Sequence, residues 1–109
     1  MKLIIKSKNN ILKNGAIYNL DNFSIIEPAI KEIDDKKTYI LQGYVGIICH
    51  DLIAFENEEN LATIFDYIIK VITDTDYDVD AIVIDMDKLQ NGRYTLVTDV
   101  IDLVRRSYY

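Results

Sequence analysis

The hydrophobic pattern is strongest over residues 55–87, where it predicts an amphipathic helix, an acidic loop and a wholly apolar strand. At 100° per residue, Leu61, Ala62, Ile64, Phe65, Ile68, Ile69, Val71 and Ile72 fall in one half of the helical wheel. Asn60, Thr63, Asp66, Lys70 and Thr73 take the other half, with Tyr67 near the boundary. Asn57 is placed to cap this helix, and Glu58 and Glu59 suit the positive end of its macrodipole. Ile and Val are mediocre helix formers, so packing must hold the segment, which implies a sheet beneath it. The loop 74–80 follows, and then 81–86 reads as a strand apolar on both faces, as an interior strand should be.

Upstream the period is two. Residues 2–7 alternate Leu3 and Ile5 with Lys2 and Lys6, the pattern of a half-buried edge strand guarded by lysine. Residues 16–20 form a second strand, bounded by turn signals at Asn14-Gly15 and Asp21-Asn22. A third begins at 23–26; Pro28 makes it an edge or ends it, and 29–33 continues it after a bulge. Residues 38–45 form the next strand. The stretch 46–55 has two readings: it extends that strand and turns at His50-Asp51, or it turns near Gly46 and runs to Phe55. Downstream, Tyr94, Leu96, Val97, Val100, Ile101, Leu103 and Val104 share one half-circle, so a second helix is expected at about 92–106, capped by Asn91. The expected fold is α+β: an antiparallel β-meander sheet with helices at about 58–73 and 92–106 packed on one face, and the interior strand 81–86 between them.

Composition narrows the class. A chain of 109 residues, half of them hydrophobic, fits one globular domain spanning 1–109. No apolar run approaches the roughly 20 residues of a membrane span, and residues 1–6 are too short for a secretion signal, so a cytoplasmic location without membrane contact is expected. The sole cysteine, Cys49, excludes an internal disulfide and reads as a buried structural thiol. Net charge is −6 and uneven: residues 1–50 hold seven Lys against five acids, residues 51–109 five basic side chains against thirteen acids. That balance disfavours direct nucleic-acid binding and favours a basic protein partner.

The segments Ile17-Tyr-Asn-Leu-Asp-Asn-Phe-Ser-Ile-Ile26, 39–45 and Leu52-Ile-Ala-Phe-Glu-Asn-Glu-Glu-Asn-Leu-Ala62 resemble a diffuse group of small uncharacterised phage and low-GC bacterial proteins. These share an INLDNI strand turn, a short meander, a phenylalanine, an acidic helix cap and an Ala-containing helix. The resemblance covers residues 16–72. It implies a context only, a phage or mobile-element product acting on host proteins in the host cytosol, and brings no site residues with it.

The most suggestive chemistry is the run Asp74, Asp76, Asp78 and Asp80. With Asp85 it echoes a calcium loop, but Val79 stands where glycine makes the turn and Asp85 where a bidentate glutamate belongs. The expectation is therefore no metal and no cofactor, leaving a solvated acidic loop or a partner-binding patch. Asp85-Met86-Asp87 reads as a strand-end turn. Neighbouring Cys49, His50 and Asp51 would point to alternate faces of a strand, so they form no triad, and no catalytic residues are assigned. Tyr77, Tyr108 and Tyr109 lie where core burial does not explain them, and tyrosine beside carboxylates suits protein interfaces. The partner-binding candidates are thus Asp74, Asp76, Tyr77, Asp78, Asp80, Tyr108 and Tyr109. The expected function is a non-enzymatic acidic protein that inhibits or regulates a basic protein, an anti-CRISPR-type phage inhibitor by nucleic-acid mimicry. The alternatives are an immunity protein against a nuclease toxin and a self-associating structural or virion-associated protein; homodimerisation stays open.

Overall fold

The computed structural model describes residues 1–7, 15–74, 78–90 and 100–105. The elements are β1 (Lys2–Lys6), β2 (Ala16–Asn19), a 3-10 turn (Leu20–Asn22), β3 (Ile25–Ile33), β4 (Lys36–Val45), β5 (Ile48–Phe55), α1 (Glu58–Thr73), β6 (Val79–Asp85), α2 (Met86–Gln90) and β7 (Ile101–Arg105). The α+β class is as expected, but the strands form two sheets, not one. One sheet has the order β2-β1-β6-β7, the other β3-β4-β5.

Helix α1 forms where the wheel places it. The Asn57 side chain accepts a 2.7 Å bond from the Asn60 amide, and Glu58 and Glu59 occupy the first turn. Its buried stripe is Leu61, Ile64, Ile68 and Val71, narrower than the predicted half-circle. Ile69 and Ile72 face solvent, and Phe65 is only half-buried. The stripe shares one hydrophobic cluster with Leu3, Ile5, Ile82 and Ile84 of the first sheet and Leu41, Ile53 and Phe55 of the second.

Strand β6 is interior, as its apolar faces require. It runs parallel to β1, pairing Leu3 with Ile82 and Ile5 with Ile84, and antiparallel to β7. Two expectations are corrected here. Strand β1 is not an edge: it lies between β2 and β6. Lys2 and Lys6 are exposed because they point to the wet face of the sheet, a placement that alternation alone cannot tell from guarding an open edge. The second helix fails over its C-terminal part, because Ile101–Arg105 is a strand; residues 92–99 lie outside the described residues. Five residues of mixed pattern satisfy either period, and the open side of β6 decides by offering a ladder to β-branched Ile101 and Val104. The short helix downstream of β6 is α2 instead.

In the second sheet β3 pairs with β4 in continuous register from Ile25↔Tyr44 to Ile33↔Lys36, so Pro28 marks an edge and no bulge follows it. Asp34 and Asp35 both adopt positive φ, 53° and 62°, which matches a two-residue hairpin turn to the strand twist. The next turn falls at Gly46, φ 63°, and β5 runs to Phe55, the second of the two readings. The bulge sits in this hairpin: Leu41 pairs Ile53 while Gln42 pairs Asp51, leaving Leu52 extra. Leu52 and its neighbour Ile53 are therefore both buried. Gly43 is required by packing, since a Cβ there would stand 2.7 Å from the Phe23 ring.

Ile64, 1% exposed, is the most enclosed residue of α1 together with Val71, whereas Phe65 borders solvent. Ile64→Ala should cost about 2–5 kcal/mol, and Phe65→Ala less than the ~3–5 kcal/mol of a fully buried phenylalanine. Urea unfolding of the two variants should rank them in that order; the reverse order contradicts the packing described.

Candidate partner-binding groove

The acidic run is split between elements. Asp74 closes α1, its amide donating to the Lys70 carbonyl at 3.0 Å, and its side chain is half-buried. Asp78 is half-buried ahead of β6. Asp80 is exposed within β6, at the register shift between Val79↔Arg105 and Ala81↔Val104. Asp76, Tyr77, Tyr108 and Tyr109 lie outside the described residues. Val79, in the place of the calcium-loop glycine, is a buried strand residue. The Asp85 Oδ1 accepts from the amides of Asp87 at 3.1 Å and Lys88 at 3.3 Å, capping α2. The Asp85-Met86-Asp87 segment is thus not the strand-end turn that was expected but a strand end running directly into a helix, with Asp85 as its cap.

The outer face of the three-stranded sheet holds a polar network. The Gln42 amide donates to Glu27 Oε1 at 2.9 Å and to Tyr44 Oη at 3.3 Å. The Cys49 thiol donates to Gln42 Oε1 at 3.4 Å, and Lys31 Nζ meets Asp51 at 2.7 Å. The hydrogen bonds that Lys31 donates to the Asp51 carboxylate hold its ammonium above its usual pKa. The Cys49 thiol beside it, first by hydrogen bonding and then by charge, raises that of Tyr44. Cys49 is exposed, not the buried thiol expected, because it lies at the end of the β4–β5 hairpin, where residues 45–51 are exposed on both faces. His50 points the other way, its ring edge-on to Phe23 at 6.3 Å, so Cys49 and His50 do take opposite faces.

The inner face of the same sheet leaves a cleft beside α1, a groove of about 490 Å³. One wall is β3, with Pro28, Ala29 and Ile30, and Tyr39 of β4 behind it. The other is the first half of α1, with Leu61 and Phe65 toward the floor and Glu58, Ala62 and Asp66 at the rim. These last three are exposed and stand one helical turn apart. Among the described residues β3 is an edge strand, so the groove runs beside backbone that no described strand pairs. Sequence reasoning did not find this feature. The signal for it was Ala62, a small residue between carboxylates four positions away on either side, facing a strand marked as an edge by Pro28.

No protein-family model, curated protein or solved structure matches the chain. Among the described residues, no helix is long and apolar enough to cross a membrane.

Asp85 acting as a helix cap gives a clear expectation. Asp85→Asn should change stability by only a few tenths of a kcal/mol, and Asp85→Ala should cost about 1 kcal/mol, as for other N-caps. Thermal melts with and without calcium or magnesium test this. A cation-dependent rise in Tm that both variants abolish would make Asp85 a ligand instead.

Proposed function

We propose that this chain is a non-enzymatic binding module that captures a cationic, partly apolar segment of another protein in the groove between β3 and α1. The observation that carries the reading is the pairing of an apolar floor with a carboxylate rim beside an open strand edge. The floor supplies area to bury, the rim selects charge, and the edge offers backbone hydrogen bonds. The net charge of −6 adds long-range attraction for a basic partner. In the context implied by the sequence resemblance, the partner is a basic host protein that handles nucleic acid, and occupancy of the groove inhibits it, as an anti-CRISPR-type product would.

Selection of random displayed peptides on the immobilised chain tests the groove without knowledge of the natural partner. Enriched peptides should combine Leu, Ile or Phe with Lys or Arg. Their binding should weaken at high salt and be lost on Ala62→Arg, which fills the groove from an exposed position. Enrichment of uncharged or acidic peptides, or binding indifferent to Ala62→Arg, contradicts the proposal.

A further inference from the structure

The spacing along the helical wall says what form the captured segment takes. Glu58 and Asp66 are separated by two turns of α1, about 12 Å at ~1.5 Å per residue, with Ala62 midway. An extended chain rises about 3.3–3.4 Å per residue and presents alternate side chains to one face. Side chains four residues apart on that face are therefore about 13 Å apart, with one more between them. We propose that the groove binds an extended segment of the pattern basic–x–apolar–x–basic, its two cations on Glu58 and Asp66, its central side chain over Ala62, and its backbone alongside the open edge of β3. This rests on the groove reading above and adds the conformation and spacing of the ligand.

The strand wall fits the same occupant. Pro28 and Ile30 share the face of β3 that looks into the groove, so an added strand would run its inward side chains along an apolar surface. Its outward side chains would lie beside Glu27, Ala29 and Lys31. The Lys31 ammonium is already held by Asp51 at 2.7 Å, and Glu27 by the Gln42 amide at 2.9 Å, so this side sets no charge requirement. Small neutral residues suit the x positions. Pro28 offers no amide hydrogen, which leaves the pairing one donor short at that point and keeps the edge from zipping indiscriminately onto other strands.

Fluorescence anisotropy with synthetic peptides separates the spacing rule from the groove itself. The probes are labelled Thr-Lys-Val-Leu-Val-Lys-Thr and its permutation Thr-Lys-Lys-Leu-Val-Val-Thr, identical in composition. The alternating peptide should bind about five-fold or more tightly, the worth of one well-placed exposed pair. Glu58→Lys with Asp66→Lys should abolish that preference and transfer binding to Thr-Glu-Val-Leu-Val-Glu-Thr. These positions are exposed, so circular dichroism of the variants should match wild type. Equal binding of the two cationic peptides, both blocked by Ala62→Arg, overturns the spacing rule and leaves the groove reading intact. Binding of neither peptide, or binding that survives Ala62→Arg, overturns both.

Discussion

The apolar stripe of α1 is the constraint on which the other elements depend. Leu61, Ile64, Ile68 and Val71 are each nearly removed from water, at about 1.5–3 kcal/mol per side chain of this size. A 16-residue segment rich in β-branched residues has little helical stability of its own, so that burial must precede or accompany its folding. The covering surfaces come from two sheets. Leu41, Ile53 and Phe55 contribute from the three-stranded sheet, and Leu3, Ile5, Ile82 and Ile84 from the four-stranded one. Strand β6 contributes Ile82 and Ile84 to this one cluster, and its backbone, removed from water, is hydrogen-bonded along both edges, to β1 and β7.

The groove follows from the same geometry. Adjacent strands lie about 4.8 Å apart, so the outer strands of a three-stranded sheet are separated by about 10 Å, no more than the diameter of a helix with its side chains. A helix resting on such a sheet overhangs at an edge unless another element closes the gap. Here the overhang falls at β3, where Pro28 and Ile30 remain uncovered and Phe65 is left half-buried. The side of α1 that overhangs carries Ala62 between two carboxylates, so the opening is shallow, apolar within and acidic outside.

Most local structure was legible because it depends on short-range chemistry. The Asn57 cap, the Pro28 edge and the apolar period of α1 each act within a few residues. What required the structure was long-range. Lys2 and Lys6 look the same in sequence whether they guard an edge or face solvent from an interior strand. Residues 101–105 satisfy the period of a helix until the vacant side of β6 is known. Cys49 reads as buried until the structure shows that the β4–β5 hairpin end, residues 45–51, is exposed on both faces and that burial in β5 begins at Leu52. The candidate site was less legible still. Carboxylates are conspicuous when adjacent, as at 74–80, but the rim of the groove joins Glu58 and Asp66 across a helix to a strand thirty residues earlier. The local signals, Ala62 between two carboxylates and Pro28 on an edge strand, mark each wall separately, and only the fold brings the two together.

Amide chemical shifts of the isotopically labelled chain, followed during titration with a Lys/Leu-alternating heptapeptide, report which surface takes the ligand. The largest changes should fall on residues 26–31 and 58–66, the two walls of the groove, while residues 2–6 and 101–105 stay in place. Changes centred on residues 74–80 instead, with the β3 and α1 walls undisturbed, would assign recognition to the acidic run and contradict the account.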